Sequence, residues 1–165
     1  IEAALIAKNR APGLNRSCSA MSWRSFDQSV WNQVREEARA AEFHGDYRIV
    51  GSDIDPKALD IARENALRAG VSDVVRFELA DAASFSRKTD SGIIVTNPPY
   101  GERIMEKQDA ERLYRLFGEA WRKTDNWKLY LLSSHTEFER SFGRNADKKR
   151  KLYNGMIKCD LFMYF

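Results

Sequence analysis

The stretch Tyr47-Arg48-Ile49-Val50-Gly51-Ser52-Asp53-Ile54-Asp55-Pro56 reads as a strand running directly into a helix. Its apolar, β-branched middle is followed by small and acidic residues, the pattern of a short buried strand and its exit. Asp55 suits a helix N-cap, Pro56 suits a first helical turn that needs no N–H, and Gly70 suits the stop. Working outward, the same alternation recurs. Residues 73–79 and 92–96 read as strands, 109–124 as an amphipathic helix carrying Leu113, Leu116, Phe117, Ala120 and Trp121, 128–133 as a buried strand and 137–142 as a short helix. On the N-terminal side a first helix ends near Lys8-Asn9, before the loop 10–14. A second spans 25–43, with Phe26, Val30, Val34, Ala38 and Ala41 near helical spacing and Gly45 closing it. The far end differs: residues 151–153, Asn154-Gly155 and 156–165 predict a β-hairpin with a type I′ turn. Strands alternating with helices predict an α/β fold with a mostly parallel, doubly wound sheet. The hairpin adds an antiparallel strand at its edge.

With 165 residues and 19.0 kDa, the chain is the size of one domain with a well-buried core. A formal net charge of +3 does not argue for nucleic-acid binding by itself, so the placement of charge must carry that argument. Cys18 and Cys159 stand far apart and suggest neither a disulfide framework nor a metal site, which fits a reduced, cytoplasmic setting. No apolar run approaches membrane-spanning length. The chain opens at Ile1, without methionine, in what reads as the middle of an apolar helix. The expectation is a piece of a longer protein.

Three polar clusters fall at the carboxyl ends of successive strands, where open α/β sheets bind ligands. The first is Gly51-Ser52-Asp53-Ile54-Asp55-Pro56: Asp53 can accept both hydroxyls of a ribose, and Ile54 can pack on an adenine face. The second is Leu79-Ala80-Asp81-Ala82, in which Asp81 can accept from an adenine amine while the Ala82 N–H donates to a ring nitrogen. The third is Asn97-Pro98-Pro99-Tyr100, after the strand 92–96. The prolines lack N–H groups and hold the chain extended, so this is a stiff, carbonyl-rich corner between an amide and an aromatic ring. A planar, amine-bearing ring suits it. Each cluster alone has a bland reading as a cap or loop, and an acid, an acid and an amide at three consecutive strand ends outweigh that reading.

Together these residues resemble the class I S-adenosylmethionine-dependent methyltransferases that act on exocyclic amines. The resemblance narrows on Ala11-Pro12-Gly13-Leu14-Asn15-Arg16, on 51–56, on Asn97-Pro98-Pro99-Tyr100-Gly101-Glu102-Arg103, and on Asp147-Lys148-Lys149-Arg150-Lys151-Leu152-Tyr153-Asn154-Gly155. These look like the THUMP-domain-associated family of 23S rRNA guanine-N2 methyltransferases, over nearly the whole chain. The family's THUMP domain, first strand and glycine-rich loop are not found in the 165 residues. The resemblance implies a Rossmann-like fold, S-adenosyl-L-methionine as cofactor, and contacts to it from Asp53, Ile54, Asp81, Ala82 and Asn97. It assigns the catalytic corner to Asn97, Pro98, Pro99 and Tyr100. The Asn97 side-chain oxygen and the Pro98 carbonyl accept from the amine, Tyr100 stacks on the extruded base, and Gly101 leaves room for it. No general base is required, and neither His44 nor His135 is assigned one. The basic run Lys148, Lys149, Arg150 and Lys151 reads either as an RNA-contacting edge or as a solvated, protected strand. Trp23, Trp31 and Trp127 read as packing residues. The alternatives are an adenine-N6 methyltransferase on DNA or RNA, a non-catalytic RNA-binding module, and a nicotinamide-dependent dehydrogenase, which leaves 97–100 unexplained.

Overall fold

The computed structural model describes residues 1–25, 27–86, 89–100, 107–124 and 126–165, which form two compact units, Ile1–Leu79 and Ala80–Phe165. In the first unit, α1 (Glu2–Ala7) and α2 (Gln28–Ala40) precede β1 (Ile49–Asp53), α3 (Pro56–Ala69) and β2 (Val75–Leu79). β1 and β2 are parallel, in a register from Ile49↔Val75 to Asp53↔Leu79. α3 is built as its sequence dictates: the Asp55 carboxylate caps the Lys57 N–H at 2.9 Å, Pro56 opens the first turn, and Gly70 closes the helix at φ +69°. Ala66, Val71 and Val75 pack with Ala4 of α1 to form a small core, flanked by Leu5, Ile49 and Phe77. Lys8 Nζ donates to Asp73 at 2.9 Å, which holds that carboxyl below its usual range.

α2 is shorter than its hydrophobic spacing suggests. Asp27 caps it by accepting from the Ser29 N–H, so the helix starts at Gln28 rather than near 25, and Phe26 lies outside the described residues. It ends at Ala40, and Gly45 is not its cap. The chain turns away there because the Phe43 N–H bonds to the Lys8 carbonyl and Glu42 pairs with Arg10. Val30 and Val34 remain half exposed.

The second unit holds β3 (Gly92–Thr96), α4 (Lys107–Trp121), β4 (Trp127–Ser133), α5 (Phe138–Phe142), β5 (Lys148–Asn154) and β6 (Ile157–Tyr164). The sheet order is β3-β4-β6-β5. β3 and β4 are parallel, whereas β6 is antiparallel to both of its neighbours. The reversed strand is therefore β6, one place in from the edge, and the edge strand β5 runs with β3 and β4. An antiparallel strand at the very edge was the simpler expectation. A hairpin whose second strand inserts between the first and the rest of the sheet reverses that order.

The hairpin turn is also displaced. Asn154 still pairs with Ile157, leaving Gly155 and Met156 as the two central residues. Gly155 has φ +63°, and Met156 is not among the residues of positive φ. A positive φ at the first central position only is the sign pattern of a type II′ turn, not type I′.

The core of this unit is aromatic. Tyr114, Phe117 and Trp121 of α4 meet Phe138 and Phe142 of α5, Leu129 and Leu131 of β4, and Phe162 and Tyr164 of β6. Ring pairs such as Tyr114–Phe138 (5.0 Å, 71°) and Phe138–Phe162 (4.5 Å, 40°) add directional packing to the area buried. The buried stripe of α4 is Ala110, Tyr114, Phe117, Gly118 and Trp121. Leu113, Leu116 and Ala120, expected on the core face, sit at its half-buried margin.

Candidate active site

The corner at residues 97–100 follows β3 without an intervening residue. β3 is held on one side by β4, where Gly92 lies opposite Trp127, and the Trp127 indole N–H donates to the Thr89 carbonyl. At the other end of the corner the Tyr100 hydroxyl donates to Asn97 Oδ1, closing the four residues on themselves. The same hydroxyl lies 3.8 Å from Cys159 Sγ of β6, and the Asn154 side chain of β5 also bonds to it. Behind the corner, Tyr114 of α4 donates from its hydroxyl to the Pro99 carbonyl at 2.5 Å. Burial pushes both phenols above the usual tyrosine range, and for Tyr114 the Glu111 charge adds to that effect. Both therefore stay protonated and donate at neutral pH. An Asn oxygen that already accepts one O–H bond keeps a second lone pair for an incoming N–H.

Asp81 caps the short 3-10 turn Ala82–Ser84, accepting from the Ala83 N–H at 2.8 Å. Ala82 opens that turn, a position whose N–H has no partner within it. Phe85 anchors the turn by packing on Phe117 (6.2 Å) and Trp127 (5.5 Å). In the first unit Asp53 ends β1, accepts from the Asp55 N–H at 2.9 Å and is exposed, and Ile54 beside it is 66% exposed. Asp53 and Asp81 each spend one oxygen on their own turn, and among the described residues no partner takes the other. Within the first unit, Asp53 with Ile54 offers a carboxylate for vicinal hydroxyls beside an apolar face; within the second, Asp81 with the Ala82 N–H offers an acceptor and a donor of the kind an amine and a ring nitrogen take.

The basic run divides. Lys148, Lys149, Arg150 and Lys151 all lie exposed on β5. Lys149 is already engaged, donating to Glu139 at 2.8 Å and lying 5.9 Å over the Phe162 ring. Lys151 faces Asp160 across the ladder, whereas Lys148 and Arg150 project from the other side of the strand. Of the tryptophans, Trp31 and Trp127 are partly buried and Trp23 is largely exposed. Gly101, Glu102 and Arg103 lie outside the described residues. Tyr114 and Cys159 escaped the sequence reading. The signal for Tyr114 was its helical spacing, four residues after Ala110 and three before Phe117. In the first unit Ala11, Pro12, Leu14 and Asn15 line a hollow of about 890 Å³ with Phe77.

Parallel βα units with an acid ending β1 and an Asn-Pro-Pro-Tyr corner after β3 define a class I methyltransferase fold. The family model described as "RMKL-like, methyltransferase domain" matches residues 1–162, and the chain belongs to that family. YpsC, a candidate RNA methyltransferase of Bacillus subtilis strain 168, is 42% identical over 166 residues, covering 100% of this chain and 43% of YpsC. The ribosomal RNA large subunit methyltransferase K/L of Shewanella baltica strain OS185 is 38% identical over 170 residues, covering 99% of this chain and 24% of that protein. The crystal structure of SMU.472 in complex with SAH superposes with a TM-score of 0.95 at 38% identity, covering 99% of this chain and 44% of that one. The chain thus spans less than half the length of these relatives. Among the described residues no helix is long and apolar enough to cross a membrane.

Proposed function

We propose that this chain is the catalytic domain of an S-adenosyl-L-methionine-dependent methyltransferase that modifies the exocyclic N2 amine of a guanine in large-subunit ribosomal RNA, in the cytoplasm. The observation that carries the reading is the corner itself: on a braced turn, an Asn97 side-chain oxygen with a lone pair to spare stands next to the carbonyl of Pro98, and neither proline puts a backbone N–H in the way of an amine. Asp53 and Ile54 take the ribose and adenine of the cofactor, and Asp81 and Ala82 its base edge. Bound there, the cofactor supplies an electrophilic methyl group.

The guanine amine is a weak nucleophile because its lone pair is delocalised into the ring. Asn97 Oδ1 and the Pro98 carbonyl each accept one of its N–H bonds, which turns the lone pair out of conjugation. Tyr100 covers the face of the extruded base. The amine becomes acidic as it is alkylated, so its proton leaves to solvent without a dedicated base. Positioning of this kind can supply roughly 7–11 kcal/mol of a barrier.

Incubating the intact protein and labelled cofactor with oligonucleotides containing guanine or adenine as the only amine-bearing purine tests the target. Label is expected in N2-methylguanine. Label in adenine alone would replace this reading with the adenine-N6 one, and RNA binding without transfer would replace it with a non-catalytic module.

Lys148, Arg150 and Lys151 are the proposed phosphate contacts of the same strand, with Lys149 serving mainly to hold Glu139. Replacing the three by Ala is expected to weaken RNA binding and to flatten the dependence of log K on log salt by roughly 2–3 units. Lys149→Ala alone should change that slope little. An unaltered slope in the triple variant would return β5 to the role of a protected edge.

A further inference from the structure

Between Asn97 and Tyr100 the chain has few torsions left to vary. Both proline rings fix φ, and Pro98, standing before a proline, is also restricted in ψ. The soft torsions that remain are ψ of Pro99, which swings the Pro99 carbonyl and carries Tyr100 with it, and φ of Tyr100 itself. That carbonyl is the group held by the Tyr114 hydroxyl at 2.5 Å. Tyr114 is in turn closely packed: it is 1% exposed, with its ring edge-on to His135 (5.6 Å) and Phe138 (5.0 Å). The Ser133 hydroxyl at the end of β4 also bonds to the Tyr114 oxygen. Because the Tyr100 hydroxyl bonds to Asn97 Oδ1, holding Pro99 ψ places the Tyr100 backbone from which that hydroxyl reaches the Asn97 amide and so narrows the orientations the amide can take.

We infer that Tyr114 is a positioning residue for the transfer reaction, setting the amine-accepting oxygen through Pro99 and Tyr100 without touching the substrate. The inference rests on the function proposed above. Removing only the hydroxyl, as in Tyr114→Phe, keeps the ring packing and frees the torsion. In the intact protein this is expected to lower kcat about 10–100-fold, since misplacement by about 1 Å can cost on the order of 100-fold, while KM for RNA and Kd for the cofactor stay within about two-fold. A role confined to stability would lower the unfolding midpoint and leave kcat per folded molecule unchanged, which would overturn the inference. Ser133→Ala, which loosens the Tyr114 hydroxyl without removing it, should lower kcat less and in the same direction. Should the Phe variant misfold, that serine variant decides, with a wild-type kcat overturning the inference. Wild-type protein that transfers no methyl group overturns the functional reading and the inference with it. Active wild type with an equally active Tyr114→Phe overturns only the inference. If wild type proves to modify adenine, the same kcat ratio is read on that amine.

Discussion

Asn97→Ala is expected to lower methyl transfer by the intact protein at least about 1000-fold, or roughly 4 kcal/mol of transition-state stabilisation, with cofactor affinity kept within a few-fold. The magnitude follows from what the side chain does at the corner. Its oxygen accepts from Tyr100 on one lone pair and, in the proposed mechanism, from the target amine on the other, so truncation would remove a substrate contact and release the Tyr100 hydroxyl together. Backbone placement is spared, because the proline rings and the Pro99–Tyr114 bond do not depend on the amide. The check is a single-turnover rate with labelled cofactor beside a titration of cofactor binding. Wild-type turnover in the variant would remove Asn97 from the mechanism; a matching loss of cofactor affinity would make it a binding residue instead.

Gly118→Ala should destabilise the second unit even though alanine is the better helix former by about 1 kcal/mol. A Cβ at position 118 would stand 2.2 Å from the Phe142 carbonyl oxygen and 3.1 Å from its ring. That oxygen is backbone at the end of α5, and it is further tied down by Arg122 Nη1 at 2.6 Å. It cannot retreat without moving α5, and α5 carries Phe138 and Phe142 into the core. Overpacking of this kind costs about 1–3 kcal/mol, enough to outweigh the propensity gain. Urea unfolding followed by tryptophan fluorescence should show a lower midpoint, with Glu119→Ala on the exposed side of the same helix as the control. An unchanged or raised midpoint would mean that the two helices can separate at little cost.

Local chemistry wrote its elements into the chain more plainly than long-range packing did. α3 and β3 lie where Pro56, Gly70 and the β-branched run 92–96 put them, because caps and strand propensity act within a few residues. α2 departed from its hydrophobic spacing because its ends are set by Asp27 and by the distant partners Lys8 and Arg10. The same division runs through the site. Asn97 to Tyr100 was legible as a motif, and Asp53 and Asp81 as acids at strand ends. Tyr114 was not, since nothing local says that a tyrosine 15 residues away reaches the Pro99 carbonyl. The Asn-Gly pair pointed to one hairpin turn, and the register of β5 on β6 chose another, shifted by a residue.

The place of β6 gives the second unit an order of assembly. Chain leaving the ribosome supplies β3, β4 and β5 in turn, yet β5 has no neighbour until β6 arrives to stand between it and β4. Until then one flank of β4 is an open edge, and the hollow meant for Phe162 and Tyr164 is unfilled. Pairings that join segments far apart in the chain form late, so this unit is most vulnerable to aggregation while it waits for β6. Because that strand also brings Cys159 to the Tyr100 hydroxyl, a nascent chain finishes its Asn-Pro-Pro-Tyr corner only in the step that closes this sheet.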